Sequence, residues 1–185
     1  MKNLLDAINS FIQVKEKTKK AIQSKTAFIS ISKKEILLNH GQIADNLYFV
    51  RKGLFRGFSM HKRKDVTNWF AKENEFVTSM YSFVSRNPSL ETIEALEDSE
   101  LDFISYKDLN ELYGTYAELN MLGRIFVENY YIALEERANS FQFQSAKARY
   151  AQFLEKNSAL FHRVKLGHIA SYLGITKETL SRIRS

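Results

Sequence analysis

The hydrophobic period of this chain changes once, and that change limits what it can fold into. From about Ala27 to Ser105 apolar residues alternate with polar ones in short runs: AFISIS, EILLN, NLYFV, LFRGFSM, VTNWF, ETIEAL and ELDFIS. Each run has the length of a strand and is rich in aromatic or β-branched residues. Turn-like stretches separate them: HGQIADN, RKG, HKRKD and KENE. Short strands punctuated in this way predict a β-barrel or sandwich. Gly53 is expected to supply a tight hairpin turn in RKG. The less regular stretch TSMYSFVSRNPS carries the only proline, Pro88, and is expected to line a pocket.

From Lys107 onward the spacing is helical. Leu119, Leu122, Phe126, Asn129, Ala133 and Glu136 alternate three and four apart, and Ile125 and Ile132 broaden the stripe. The helix is expected to begin near Tyr116 and to run well past the globular average. A long helix with a narrow apolar seam is a candidate dimer coil. Its first half is expected to pack on the roll and its second half to pair with a partner subunit. The candidate seam is Leu122, Ile125, Phe126, Asn129 and Ala133, made imperfect by polar Asn129 and Glu136. A helix that only packs on its own roll is the alternative. Beyond Gln144 no strand pattern returns. The expected fold class is therefore α+β. Residues 1–115 form the β-roll with flanking helices, 116–141 the long helix, and 142–185 a small all-helical domain.

Charge separates the same regions. The net charge is +6, yet residues 1–140 hold 19 basic and 19 acidic side chains. Residues 141–185 hold eight basic residues against Glu155 and Glu178. A basic lobe on a neutral body points to a polyanionic partner. No cysteine is present, which excludes disulfides, thiolate-bound zinc and iron–sulfur clusters. No apolar run is long enough to span a membrane. The start, MKNLLDAINSFIQV, is broken by Asp6, Asn9 and Ser10, so it reads as an amphipathic helix built on Leu4, Leu5, Ile8, Phe11 and Ile12 rather than a signal peptide. A cytoplasmic protein is expected.

The basic lobe ends in LGHIASYLGITKETLSRIRS. Ile169 and Leu173 lie one turn apart, and Ala170 is small where a second helix would cross. Gly174 suits a left-handed helix end, Ile175 a plug between helices, and Thr176 an N-cap. Leu180 and Ile183 would face inward. That is a helix-turn-helix pattern, whose second helix lies in the major groove of double-stranded DNA.

Taken with the rest of the chain, these residues resemble the Crp/Fnr family of bacterial transcription regulators. KKEILLNHGQIADNLYFVRKGLFRGF is similar to that family's opening strands, EALEDSELDFISYKDLNEL to its closing strands and following helix, and IASYLGITKETLSRI to its helix-turn-helix. The compact branch found in Bacteroidetes is the most similar. The resemblance implies a cyclic-nucleotide-binding-like sensor domain, an antiparallel β-roll of the jelly-roll kind, then a long dimerisation helix and a C-terminal all-helical DNA-binding domain. It also implies a homodimer on an inverted-repeat operator, with RNA polymerase as a further partner. It places base-reading positions on Lys177, Glu178 and Arg182, where glutamate can accept from cytosine and arginine can donate to guanine. Thr176, Thr179, Ser181 and Arg184 are expected to contact phosphates.

The expected ligand pocket departs from the family. The cAMP-binding members have a Gly-Glu-Leu step and then an arginine that holds the phosphate. Here Thr78, Ser79 and Met80 stand at the first position and Ser89 or Leu90 at the second, while Arg86 comes several residues early. An unpaired phosphate in a pocket is costly, so cAMP and cGMP are expected not to bind well, and the pocket is expected either to hold another small-molecule effector or to be filled by its own side chains. The family's β-hairpin wing is replaced by EKNSALFHRVKL, a short helical stretch. Two other readings remain at this point. One is a signalling module whose helical domain binds protein. The other is a cupin-like β-roll enzyme, for which His40 and His61 supply no His-x-His pair. No catalytic residues, metal or cofactor are expected.

Overall fold

The structure, a computed structural model, describes residues 2–184. Two amphipathic helices come first, α1 (Leu4–Phe11) and α2 (Glu16–Lys25). Asn3 caps α1 in a reciprocal box with Asp6, and Leu4, Ala7 and Ile8 form its buried face. Eight short strands follow: β1 (Ala27–Ile31), β2 (Ile36–Leu38), β3 (Asn46–Lys52), β4 (Phe55–His61), β5 (Lys64–Ala71), β6 (Phe76–Val77), β7 (Thr92–Ala95) and β8 (Ser99–Ser105). A short helix, α3 (Met80–Ser85), occupies the irregular stretch between β6 and β7. The strands form two antiparallel sheets, ordered β1-β8-β3-β6 and β2-β7-β4-β5.

Side-chain alternation along β3 explains how one strand serves two cores. Val50 points between the sheets, onto Phe55, Val77, Ile93 and Leu101. Phe49 points the other way, into a cluster with Leu4, Ile8, Ile22, Leu112, Leu119 and Leu122 from the helices. The roll is thus a sandwich with a helical layer on one side.

Gly53 corrects an expectation. It does not close a hairpin, because β3 and β4 lie in different sheets. It carries the chain across from one sheet to the other at φ 109, and any side chain there would collide with Ser99. The two-residue hairpin is instead β4–β5, where Lys62 and Arg63 both take positive φ between the paired residues His61 and Lys64.

After α4 (Tyr106–Thr115) comes α5 (Ala117–Phe143), 27 residues long. Leu119 and Leu122 are buried in the helical layer. Phe126 packs edge-on against Phe76. Leu122 is 5% exposed, so it belongs to its own chain's core and is not free to meet a partner, which shortens the candidate seam from its first member. Beyond Phe126 the helix leaves the helical layer, and Arg137 meets the roll again at the Thr67 carbonyl. Val127, Tyr130, Tyr131, Ile132 and Leu134 are all exposed.

The last quarter is helical throughout: α6 (Ala146–Asn157), a 3-10 turn (Ser158–His162), α7 (Leu166–Tyr172) and α8 (Lys177–Arg184). Phe153, Leu160, Val164, Ile169, Ala170, Leu173 and Leu180 make its core, and Leu54 of the roll joins that cluster. No β-hairpin wing precedes α7; the 3-10 turn takes its place.

Candidate nucleic-acid interface and effector cleft

The turn between α7 and α8 follows from three residues. Gly174 takes φ 66, a conformation glycine adopts without strain. The Gly174 amide donates to Ser171 and the Ile175 amide to Ala170, which together form a Schellman motif. Ile175, just past the turn, packs over the core. Then Thr176 caps α8, its hydroxyl accepting from the Thr179 amide at 3.2 Å. Leu180 is 1% exposed and fixes the rotation of α8 about its axis. The polar residues of α8 are thereby turned outward.

The outward residues are not equivalent. Glu178 and Arg182 are exposed on the free face, and Arg182 leans on the Thr179 hydroxyl at 3.3 Å. The Glu178 carboxyl is held below its ordinary range, first by its own backbone amide at the helix start and then by the Thr176 hydroxyl. It is therefore an anion ready to accept hydrogen bonds. Ser181 is exposed beside it. Lys177 instead lies back across Gly167 of α7, where a side chain would meet its Cε at 2.5 Å. Arg184 stacks its guanidinium 4.7 Å from the Phe161 ring.

This helical unit is seated on the roll. Helix α7 runs along the edge strand β5, where the Thr67 amide donates to the Ser171 hydroxyl at 2.9 Å. Arg163 reaches into the roll and grips two carboxylates, Glu73 at 2.7 Å and Glu97 at 2.6 Å. It also donates to the Gly53 carbonyl. The Arg163 guanidinium pulls the Glu73 carboxyl down to about 2. Arg137 of α5 stacks on Phe141 and Tyr172 and donates to the carbonyls of Thr67 and Tyr172. Arg163 is one of the eight basic residues of the last quarter. Its acidic partners lie far away in the chain, so no local pattern announces the clasp.

A cleft of about 1080 Å³ opens between the roll and α5. Thr78, Ser79, Met80 and Leu90 line it. Ser89 lies behind them, 1% exposed, with its hydroxyl 3.0 Å from that of Ser79 and donating to the Glu91 carbonyl. The Thr78 hydroxyl donates to the Asn46 carbonyl. Arg86 faces away from the cleft: it donates to the Ala44 carbonyl, pairs with Asp45 and covers the Tyr106 ring. Two residues that sequence reasoning passed over, Trp69 and Glu91, also line the cleft. Trp69 lies over Gly57, where any side chain would displace its ring.

Comparison with known proteins agrees with this geometry. Residues 28–116 match the family model for the cyclic nucleotide-binding domain. FixK2 from Bradyrhizobium japonicum superposes with a TM-score of 0.73 at 19% identity, covering 86% of this chain and 82% of that one. A CooA mutant from Carboxydothermus hydrogenoformans has the same score at 17% identity, covering 99% of this chain and 83% of that one. A putative Crp/Fnr regulator from Eubacterium rectale scores 0.72 at 19% identity, covering 92% and 82%.

The chain has the Crp/Fnr fold.

No curated protein sequence matches it. The cleft residues from Leu47 to Tyr113 fall within the stretch that matches the cyclic nucleotide-binding domain, and its α5 residues lie beyond it. Among the described residues no helix is long and apolar enough to cross a membrane. Among the same residues no cluster of three metal-ligating side chains occurs.

Proposed function

We propose that this chain is a homodimeric, sequence-specific DNA-binding regulator of transcription that acts in the cytoplasm. The observation that carries the reading is the presentation of α8. A Schellman turn, an N-cap and a buried Leu180 hold its polar face to solvent, with Glu178 and Arg182 foremost. Glu178 and Arg182 read base edges, while Thr176, Thr179 and Ser181 set the register on phosphates. Lys177 and Arg184 reach the phosphate backbone once they leave Gly167 and Phe161.

The second half of α5 supports a homodimer. Its exposed Tyr131 and Ile132 leave a broad apolar surface, which a second copy of α5 would cover. Ile125 and Asn129 lead into that stretch and Ala133 lies within it. Two-fold symmetry would set two copies of α8 about 34 Å apart, one turn of DNA. Residues 1–115, 116–141 and 142–185 then act as sensor, dimerisation helix and reading head. The cleft is the effector site. Its hydroxyls are engaged within the chain and Arg86 is turned away, which supports an effector other than a cyclic nucleotide.

The test is selection from a randomised duplex library with the full chain and an Arg182→Ala control. Enrichment of an inverted repeat that the variant fails to hold is the expected result. Absence of any enriched sequence, with or without a metabolite extract, overturns the reading.

A further inference from the structure

The cleft holds a carboxylate whose bonded partners are all neutral. Glu91 accepts from Asn68 Nδ2 at 2.9 Å and from Trp69 Nε1 at 2.9 Å. The Ser79 hydroxyl faces it as well, and no cation shifts its titration. Burial pushes its carboxyl above the ordinary range, because a charge in a half-enclosed apolar cleft is poorly solvated. The other charged groups around the cleft have partners. Glu75 accepts from the Lys72 amide and lies near the Lys72 ammonium. Glu128 pairs with Arg124 at 3.4 Å. Arg137 is stacked and bonded to two carbonyls. Glu91 is thus the carboxylate of the cleft that has no cation beside it.

The walls near it are aromatic. Trp69 touches Glu91 directly, and Tyr130 of α5 feels the Glu91 charge across the cleft. Phe70, Phe76, Tyr81 and Tyr172 extend the lining. Aromatic faces carry negative potential and attract cations, most strongly where water is excluded. A carboxylate set among aromatic rings is the chemistry that receives an ammonium group.

We propose that the cleft binds an organic cation, an ammonium group on an apolar body, with its charge against Glu91 and among the surrounding rings. This rests on reading the cleft as the effector site, and it names the class of effector. The cation supplies the missing counter-ion, and the apolar body fills the rest of the cavity between the roll and α5. A phosphate would bring a second negative charge to Glu91, so the same residue that attracts a cation repels a cyclic nucleotide.

Trp69 is the only tryptophan of the chain, so its emission reports the cleft directly. The full chain is titrated, without DNA, with benzyltrimethylammonium, benzyl alcohol, phenylacetate and cAMP. A saturable change with the cation is expected, and affinity about tenfold lower or worse for phenylacetate and cAMP. Glu91→Gln keeps an acceptor for Asn68 and Trp69, and it is expected to weaken the cation about tenfold while leaving benzyl alcohol unchanged. Tyr130→Leu is a second variant, on the opposite wall, and should weaken the cation more than the alcohol even where Glu91→Gln fails to fold. No saturable response to the cation, equal binding of phenylacetate, or a cation affinity untouched by both variants overturns the proposal. Because no DNA is present, such a failure leaves the regulator reading standing, and failure of the duplex selection leaves this one standing.

Discussion

Arg163 and Arg182 belong to the same small helical unit and meet opposite fates. Arg163 faces the roll, where Glu73 and Glu97 take up its charge. Arg182 faces solvent, bonded to the Thr179 hydroxyl and near the Glu178 carboxylate of its own helix. Their neighbours divide the same way. Arg149 donates to the carbonyls of Leu173 and Gln144, and Lys156 pairs with Glu136. Lys147, Lys165 and Lys177 are exposed. The inner cations hold the unit together and to the roll, while the outer ones are free for a polyanion. A charge count over a segment therefore overstates what a partner can use.

The comparison breaks most severely at Leu180, which supports both faces. Leu180→Ala empties a fully buried site and should cost about 2–5 kcal/mol. Denaturant unfolding should report that loss, and DNA binding should fall with it. Arg182→Ala is the opposite case. Stability should stay within about 0.5 kcal/mol of the parent. Affinity for a selected duplex should drop by about 1–3 kcal/mol, with relaxed specificity at one base position. Were Arg182→Ala to unfold the head, the outer face would be structural and the division drawn above would be wrong.

Arg163→Ala sharpens the inner side. It leaves Glu73 and Glu97 without their cation, in a half-buried setting between the surface and buried limits, so a cost of about 1–2 kcal/mol is expected. The pH dependence gives a cleaner signature. The Glu73 carboxyl sits at about 2 in the folded chain against an ordinary 4.5. A lowered folded value means that the unfolded chain binds the proton first. The Glu73 contribution is therefore complete above 4.5 and is lost as pH falls from there toward 2. Unfolding midpoints measured across that range should fall steeply in the parent and less steeply in Arg163→Ala. Equal slopes would mean that the clasp contributes nothing to folding.

The parts of the molecule that depend on local spacing were legible in the sequence. Alternation gave away the strands, because a half-buried strand must repeat every second residue. The Gly174–Thr176 turn was legible for the same kind of reason: one residue must take positive φ and one must cap. Contacts between distant segments were not legible. Gly53 sits in a turn-like triplet, but which sheet each flanking strand joins depends on pairings with β5, β6, β7 and β8. Glu91 lies in a strand-like run, and nothing near it in the chain says that Trp69 will donate to it. The second half of α5 is intermediate. Its apolar content was plain, while the enclosure of Leu122 needed the folded helical layer to reveal it.

The smallest expected effect lies at the seam between the inner face and the roll. His168 of α7 has a buried Nδ1 with no hydrogen-bond partner among the described residues. Burial lowers its pKa first and the positive Arg56 lowers it further, while Asp65 and Glu94 oppose them and Lys165 adds a small push down. Arg56 itself is 2% exposed and bonded to both acids, so its charge stays in place beside the imidazole. A lowered folded value again means that the unfolded or undocked state takes the proton first. The stabilisation from neutral His168 is complete above the ordinary 6.5 and is lost as pH falls below it. Seating of α7 on β5 should therefore loosen in mild acid, well before the Arg163 clasp responds. Amide exchange at Thr67, whose N–H is bonded to Ser171, reads that seating directly. Exchange corrected for its intrinsic rate should quicken between about pH 7 and about pH 5.5 in the parent. In His168→Gln, which cannot take a proton, it should not. An equal response in both would take the acid sensitivity of the seam away from His168, and would leave the division between inner and outer faces resting on Arg163 alone.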